Sequence, residues 1–316
     1  MGTRVVRTED PRLLTAGGAY VDDVRAPELT GAGRVTFVRS PLGHARIAGI
    51  DTSAALAAPG VVAVLTVADI DDLPPPPAEG APSETIPVPL GGLWQEPLLA
   101  FDRVRFVGEP VAMVITDGTY AGEDAAELVN VDYEPLPPVV GFDAALADGS
   151  LLFPDTGSNV AVTAASPADP AALDGCEVVV ERTISNQRLA PVPMEGRAAA
   201  AQWADGKLTV WVSTQNAQIC RFILAGAFGM DPGSIRVVAP DVGGGFGAKV
   251  GLDRDAILIA WAAKHIGRAV RWAETRSENL TCMTHGRAQR QTVKIGGTRD
   301  GRVQAYRLDI VQDTGA

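Results

Sequence analysis

Short runs of β-branched and aliphatic residues, separated by glycine, proline and aspartate, dominate the first part of the chain. Val61–Val67 and Val111–Thr116 are continuous apolar runs, which are typical of buried strands. Val129–Tyr133 alternates apolar and polar side chains, which predicts a half-buried strand directly after a short helix over Glu123–Val129. Leu73–Pro97 contains eight prolines and no hydrophobic period, so we expect a long surface loop there.

Two hairpins and two longer helices are predicted in the second part of the chain. The predicted hairpin strands are Arg197–Trp203 with Lys207–Ser213, and Gln291–Ile295 with Arg302–Val311. Each pair flanks an Asp-Gly dipeptide, which favours a tight turn between antiparallel strands. Helices are predicted over Ala217–Phe228, which ends at Gly229, and over Asp253–Ile266, which is apolar on nearly every face. This mixture of strands and helices indicates an α+β fold.

Length and composition favour two globular units. A chain of 316 residues suits about two domains, since roughly 150 residues form a typical domain. We predict a first unit over residues 1–140, a linker over 141–158, and a second unit over 159–316. The sequence stops at Ala316 inside a predicted strand, so we expect this second unit to be truncated.

Charge and cysteine usage exclude several classes of function. The net charge is −11 and no run of lysine and arginine occurs, so nucleic acid is not an expected partner. Cys176, Cys220 and Cys282 are too far apart for a zinc site or an iron–sulfur cradle, and three is an odd number for disulfides. The most apolar run, Ala256–Ala263, is too short to span a bilayer, so we expect a soluble cytoplasmic protein without a transmembrane segment.

The densest chemical signal is the glycine-rich segment Asp241–Lys249, between a predicted strand and a predicted helix. Glycine lets backbone N–H groups approach an oxyanion closely. A Walker A loop is excluded, because Ala248 and Val250 stand where it needs glycine and Ser/Thr. Gly243 and Gly245, with Ala248, fit a dinucleotide-binding fingerprint, although no acidic residue ends a following strand. A simple strand-to-helix turn is the remaining interpretation.

Two polar segments add candidate residues. Gln215 follows a predicted strand, at the kind of sheet edge where ligands collect in α/β folds. Its amide can donate and accept hydrogen bonds, so it could bind a ligand, cap the helix or bond the loop backbone. Glu195 and Arg197 follow two prolines, and a buried structural ion pair is their favoured use.

Eight spaced motifs together resemble one known family. In chain order they are Thr8–Thr15, Ser40–Ile47, Phe106–Ala112, Val131–Pro137, Pro193–Glu195, Ser213–Gln215, Val242–Lys249 and Arg276–Glu278. This series resembles the large, molybdopterin-binding subunit of the molybdenum hydroxylases, the family of xanthine dehydrogenase, aldehyde oxidase and aerobic carbon monoxide dehydrogenase. The resemblance covers essentially the whole chain. It implies a hammerhead-type domain followed by the first part of a molybdopterin-binding domain.

The resemblance also implies the site residues. Gln215 matches a glutamine that hydrogen-bonds a molybdenum oxygen. Phe246 and its neighbours Gly243, Gly244, Gly245 and Gly247 match the loop that lies against the pterin and the metal's oxygen ligands. No protein side chain ligates the metal directly, since the pterin dithiolene holds it. The expected cofactor is molybdenum with molybdopterin, as its cytosine dinucleotide, and the general-base glutamate is expected beyond Ala316, so this chain alone is expected to be inactive.

The implied reaction is oxidation of a small carbonyl, heterocyclic or carbon monoxide-like substrate with oxygen derived from water. Iron–sulfur clusters and FAD are expected on two partner subunits, in a dimer of heterotrimers. Val250 replaces the glutamate that purine-oxidising members place after the loop lysine, and with Arg276–Leu280 it favours the carbon monoxide dehydrogenase-like branch. The alternatives are an NAD-dependent Rossmann-type oxidoreductase, based on the glycine spacing, and a non-catalytic assembly module with the same fold.

Overall fold

A computed structural model describes residues 2, 5–70, 73, 97–166, 169 and 171–315. The interior of the predicted proline-rich loop therefore lies outside the described residues. The strands are β1 Gly33–Arg39, β2 Ala45–Asp51, β3 Val61–Thr66, β4 Arg103–Val104, β5 Pro110–Thr116, β6 Asn130–Pro135, β7 Val178–Leu189, β8 Ala198–Ala204, β9 Lys207–Val212, β10 Ile235–Val238, β11 Val270–Ala273, β12 Gly286–Gly297 and β13 Val303–Gln312. The α-helices are α1 Asp10–Thr15, α2 Ser53–Leu56, α3 Ala121–Ala126, α4 Phe142–Leu146, α5 Ala217–Phe228, α6 Arg254–His265 and α7 Arg276–Cys282.

A seven-stranded mixed sheet joins the two parts of the chain. Its order is β10-β9-β8-β11-β1-β5-β3. Strand β1 pairs antiparallel with β5 from its own part of the chain and parallel with β11 from the other part, where Gly33 lies opposite Val270. One sheet therefore contains strands from before and from after residues 141–158. Within that stretch α4 forms, and Leu152 and Phe153 are buried.

The main hydrophobic core lies between this sheet and α6. Helix α6 packs on β8 and β11, and its Trp261 is completely buried. The ring of Phe37 from β1 meets the ring of Trp272 from β11 edge-on, with centroids 5.4 Å apart. Burying such aromatic side chains contributes roughly 1.5–3 kcal/mol each. Residues from both parts of the chain thus share one core.

Most predicted elements are confirmed, with local corrections. Helix α5 spans the predicted residues, and α6 lies within its predicted range. Strand β5 is buried along its whole length, whereas β3 is an edge strand of the described sheet in which only Leu65 is buried, so the prediction of a buried strand there is wrong. Helix α3 begins at Ala121 and ends at Ala126, earlier than predicted, because β6 begins at Asn130.

Two three-stranded sheets complete the fold, with orders β4-β2-β6 and β13-β12-β7. The second of these is the longer, and every residue of β7 is exposed. Strand β13 ends at Gln312, so the prediction that the sequence stops within a strand is wrong. Among the described residues no helix is both long and apolar enough to cross a membrane.

Candidate functional site

The glycine-rich segment forms an irregular loop between β10 and α6. Helix α6 begins only at Arg254, and the residues after Lys249 form a bend and a coil. A dinucleotide-binding turn instead leads directly into a helix whose amino terminus faces the pyrophosphate. The spacing of Gly243, Gly245 and Ala248 therefore fits the dinucleotide-binding fingerprint, but the helix that should follow this fingerprint directly is not there.

The loop backbone presents three free donors. Gly244, Phe246 and Gly247 have φ angles of +101°, +53° and +92°. The sign of φ alternates over residues 244–246, and backbone of this kind can bind an anion or an oxo group through successive N–H groups. The N–H groups of Gly244, Gly245 and Phe246 make no hydrogen bond within the part of the chain that the structure describes.

The side-chain amide of Gln215 binds the loop through its oxygen and leaves its NH₂ group available for a ligand. Its side-chain Oε1 accepts hydrogen bonds from the N–H groups of Gly247 at 2.9 Å and Lys249 at 3.3 Å. Its main-chain N–H donates to the Lys249 carbonyl at 2.7 Å. The residue is exposed, and its Nε2 has no hydrogen-bond partner among the described residues. Of the three functions considered for this glutamine, capping helix α5 is wrong, because Asn216 is the N-cap and its side chain accepts a hydrogen bond from the N–H of Ile219. Bonding the loop is observed, and it is compatible with binding a ligand.

Close packing requires glycine at position 245. A Cβ atom there would lie 2.3 Å from Oε1 of Gln215, far inside a van der Waals contact. Phe246, which follows, is 73% exposed and has a left-handed backbone conformation that is uncommon for a non-glycine residue. An exposed aromatic ring held by a strained backbone is a feature of ligand sites.

Beneath the loop lies a buried ionic cluster formed by Glu195, Ser213 and Lys249. The Lys249 side chain is fully buried, and its Nζ donates to Oγ of Ser213 at 2.8 Å and to the Glu195 carbonyl at 2.8 Å. Oε2 of Glu195 lies 3.2 Å from Nζ and accepts a hydrogen bond from Ser213 Oγ at 2.7 Å. Burial lowers the pKa of Lys249, and the Glu195 carboxylate opposes that shift.

The predicted pairing of Glu195 with Arg197 needs correction. These two residues belong to different ion pairs, Glu195 with Lys249 and Arg197 with Glu274. Nε of Arg197 donates to Glu274 Oε2 at 2.6 Å, and its Nη1 lies 3.0 Å from Asp255 Oδ2. Burial alone would lower the pKa of Arg197, but the surrounding carboxylates outweigh it and raise that pKa.

The amino-terminal segment reaches the start of the loop. Arg12 donates two hydrogen bonds to the carboxylate of Asp241, at 2.7 and 2.6 Å. The N–H of Ala19 donates to the same carboxylate at 2.8 Å. The hydrogen bond from Arg12, followed by that from Ala19, lowers the pKa of Asp241 to about 2. Asp241 therefore stays ionised at neutral pH and links the first sequence motif to the glycine loop.

The sequence patterns identified the loop and Gln215, but missed Glu195, Ser213 and Lys249 as one cluster. The signal for it was a lysine directly after an apolar, glycine-rich segment, where a buried charge needs a partner. Among the described residues, no group of three or more His, Cys, Asp and Glu side chains is arranged to hold a metal ion.

Comparison with protein families gives two matches that cover most of the chain. Residues 15–137 match the family described as the a/b hammerhead domain of aldehyde oxidase and xanthine dehydrogenase. Residues 152–316 match the family described as the molybdopterin cofactor-binding domain.

Similar curated proteins are large subunits of multi-subunit enzymes. The chain is 37% identical to the nicotine 6-hydroxylase large subunit of Paenarthrobacter nicotinovorans, over 100% of this chain and 38% of that protein. It is 35% identical to the carbon monoxide dehydrogenase large chain of Afipia carboxidovorans, over 100% of this chain and 40% of that protein. The chain thus spans about two fifths of the length of these relatives.

Solved structures show the same fold. Quinoline 2-oxidoreductase from Pseudomonas putida 86 superimposes with a TM-score of 0.87 at 35% identity, covering 99% of this chain and 39% of that one. Carbon monoxide dehydrogenase from Oligotropha carboxidovorans gives a TM-score of 0.84 at 33% identity, covering 99% of this chain and 40% of that one.

Proposed function

Because this chain belongs to the molybdenum hydroxylase family, as a large-subunit sequence of the xanthine dehydrogenase and carbon monoxide dehydrogenase type, we propose that its glycine loop and Gln215 bind the molybdenum cofactor. The residues assigned to this site are Gln215, Gly243, Gly244, Gly245, Phe246 and Gly247. The chain would thereby form part of an oxidoreductase that hydroxylates a small molecule with oxygen derived from water.

The observation that carries this proposal is the set of free donors on the loop. The N–H groups of Gly244, Gly245 and Phe246 and the Nε2 of Gln215 are all without partners among the described residues. Of these residues Gly245 is buried, and a buried N–H without a partner costs roughly 1–3 kcal/mol. Oxygen atoms of a bound cofactor would satisfy these donors, and the donor set therefore fits the group.

The chain's own residues would bind and orient this cofactor. Bound molybdopterin with molybdenum supplies the two-electron redox chemistry and the activated oxygen of the family's reaction. Gln215 would donate from Nε2 to an oxygen of the group while its Oε1 keeps the loop in place. The exposed ring of Phe246 would cover one side of the site and exclude water.

We further propose the cytosine dinucleotide form of molybdopterin, and partner subunits that carry iron–sulfur clusters and FAD, in a dimer of heterotrimers. The names of two relatives support partner subunits, since one is a large subunit and another is the gamma subunit of a dehydrogenase complex. The three separated cysteines give this chain no iron–sulfur ligand set of its own.

The proposed substrate is a small carbonyl, heterocyclic or carbon monoxide-like molecule, in the carbon monoxide dehydrogenase-like branch. Val250 after the loop lysine supports a branch other than the purine oxidases. Similar proteins are named for nicotine, carbon monoxide and quinoline, which gives a defined set of substrates to test. Reduction of an artificial electron acceptor by the assembled holoenzyme with each of these would identify the class.

Cofactor binding can be tested on purified protein from a host that makes molybdopterin. We expect molybdenum and pterin to co-purify with the wild type. Replacing Gln215→Ala removes its two hydrogen bonds to the loop and one donor to the cofactor, so occupancy should fall by about tenfold or more. Gln218→Ala, an exposed glutamine three residues away, is the matched control. Wild-type protein without molybdenum and pterin would contradict the proposal.

A further inference from the structure

The two ends of the glycine loop meet at one buried cluster. At the first end, the N–H of Gly243 donates to Glu195 Oε2 at 2.7 Å, and the N–H of Glu195 donates to the Gly243 carbonyl at 3.1 Å. At the other end, Lys249 turns its ammonium group back under the loop to the carbonyl and carboxylate of the same Glu195. One glutamate therefore fixes the distance between residues 243 and 249.

The interior of this cluster leaves little freedom for the charged groups. The Lys249 side chain is fully buried, and only 13% of the Glu195 side chain is exposed. A buried charge is strongly unfavourable unless it is paired and hydrogen-bonded. Ser213 lies between the two, accepting from Nζ of Lys249 and donating to the Glu195 carboxylate. This arrangement of the three side chains provides hydrogen-bond partners for the ammonium group of Lys249 and for Oε2 of Glu195.

Steric contact reinforces the attachment at the first end. A Cβ atom on Gly243 would lie 2.5 Å from Cβ of Glu195, so the backbone can come this close only at a glycine. Between the two ends, the N–H groups of residues 244–246 are left free, as described above. The cluster therefore holds the ends of the loop and leaves its middle for a ligand.

We infer that Glu195, Ser213 and Lys249 are positioning residues that preset the glycine loop for the molybdenum cofactor. This inference rests on the proposed function. The three side chains act from beneath the loop through its backbone. Loss of the cluster would let the loop relax, so that its free N–H groups no longer keep the spacing that the two fixed ends impose.

The test uses the cofactor-loaded protein and variants that keep side-chain size. Lys249→Met and Glu195→Gln each remove one charge, and Ser213→Ala removes the bridging hydroxyl while it leaves both charges in place. Matched controls are Lys294→Met and Glu181→Gln, because Lys294 and Glu181 form an exposed ion pair at 2.9 Å on β12 and β7. The measurements are molybdenum and pterin content, the melting temperature, and the Mo(V) electron paramagnetic resonance spectrum of the partly reduced protein.

We expect Lys249→Met and Glu195→Gln to lower cofactor occupancy by about tenfold or more, since each leaves its partner buried and unpaired. Ser213→Ala should lower occupancy by roughly threefold to tenfold, at a nearly unchanged melting temperature, and should shift the Mo(V) spectrum. Both control variants should match the wild type in occupancy and spectrum. If a charge variant fails to fold, Ser213→Ala decides the outcome.

The outcomes separate the two proposals. Wild-type occupancy and an unchanged Mo(V) spectrum in Ser213→Ala would overturn the positioning role and leave cofactor binding intact. The absence of molybdenum and pterin from the wild type would overturn both. Equal losses in the control variants would also overturn the positioning role, because they would show a general effect of removing an ion pair.

Discussion

At the scale of single residues, the glycine loop depends on close contacts that are possible only because glycine has no Cβ atom. Gly245 lies against the Gln215 amide, and Gly243 lies against Glu195, both at distances that exclude a Cβ atom. These glycines differ from Gly244 and Gly247, whose requirement is a positive φ angle. The loop thus combines two separate reasons for glycine within five residues.

Replacing Gly245→Ala should displace Gln215 and weaken cofactor binding. The new methyl group would overlap Oε1 of Gln215, and such overpacking costs about 1–3 kcal/mol, or roughly a fivefold to hundredfold loss of occupancy. Molybdenum and pterin content measures the effect. Gly226→Ala on α5 is the control, because a Cβ atom there meets no neighbour and alanine favours a helix. Unchanged occupancy in the loop variant would contradict the predicted contact.

A second residue-scale prediction concerns Glu109, which is only 1% exposed. Burial raises the pKa of Glu109 from 4.5 to about 7, although the N–H of Arg105 hydrogen-bonds its carboxylate. The folded protein therefore binds this proton more tightly than the unfolded chain. The resulting stability is complete below pH 4.5 and is lost as the pH rises through 7, by up to about 3 kcal/mol.

Glu109→Gln mimics the protonated side chain and should remove this pH dependence. The free energy of unfolding, measured with denaturant between pH 4.5 and 8, should fall more steeply in the wild type than in the variant. Exposed Glu127, changed to glutamine in the same way, should leave the wild-type slope intact. Parallel curves for the wild type and Glu109→Gln would refute the assignment.

At the scale of secondary-structure elements, one buried carboxylate connects three of them. Asp255 on α6 contacts Arg39 of β1 at 3.3 Å and Arg197, just before β8, at 3.0 Å. Arg39 also donates to Glu278 of α7 at 2.8 Å. Two guanidinium groups thus hold the start of α6 in place. The segment that follows the glycine loop leads into this helix, so its end is fixed as well.

Asp255→Asn should destabilise the protein strongly. It leaves Arg39 and Arg197 with less compensating charge in a buried site, where breaking an ion pair costs about 3–5 kcal/mol. Asp309→Asn is the matched control, because its pair with Arg307 is exposed and worth about 0–1 kcal/mol. Chemical denaturation of both variants measures the difference, and a loss below 1 kcal/mol for Asp255→Asn would contradict the buried network.

Local sequence signals predicted some elements accurately and missed others. Helix α5 was predicted to the residue, with Gly229 as its end, and in the structure Asn216 caps its first turn and Gly229 has a left-handed conformation. Strand β7 was missed, since its side chains are exposed throughout and no alternation of apolar and polar residues marks it. Its register follows from pairing with β12, a contact between segments about a hundred residues apart.

The same distinction applies to the site. The glycine loop and Gln215 were found because glycine composition and strand ends are local features. The partners of Lys249 could not be predicted in this way, because Glu195 and Ser213 lie 54 and 36 positions earlier in the chain. Which carboxylate meets which cation is decided by tertiary packing, as the separate pairs of Glu195 and Arg197 also show.

At the scale of the whole molecule, the seven-stranded sheet makes the two family-matched regions depend on one another. Strands β1, β3 and β5 come from one region and β8, β9, β10 and β11 from the other, with a shared core. We expect residues 15–137 and 152–315, produced separately, to lack cooperative thermal unfolding, because each half exposes apolar surface that the other covers. Calorimetry of the full chain provides the control, and sharp transitions in both halves would contradict this expectation.

The β1–β11 pairing can form only late in synthesis, because the two strands are far apart in the chain. Val270 leaves the ribosome 237 positions after Gly33, its partner in the sheet. At about 5–20 residues per second, this interval is on the order of ten to fifty seconds. During that time one edge of β1, next to the apolar side chains Val35 and Phe37, has no partner strand. A nascent chain in this state is a natural client for chaperones, and slower translation would prolong its exposure to aggregation.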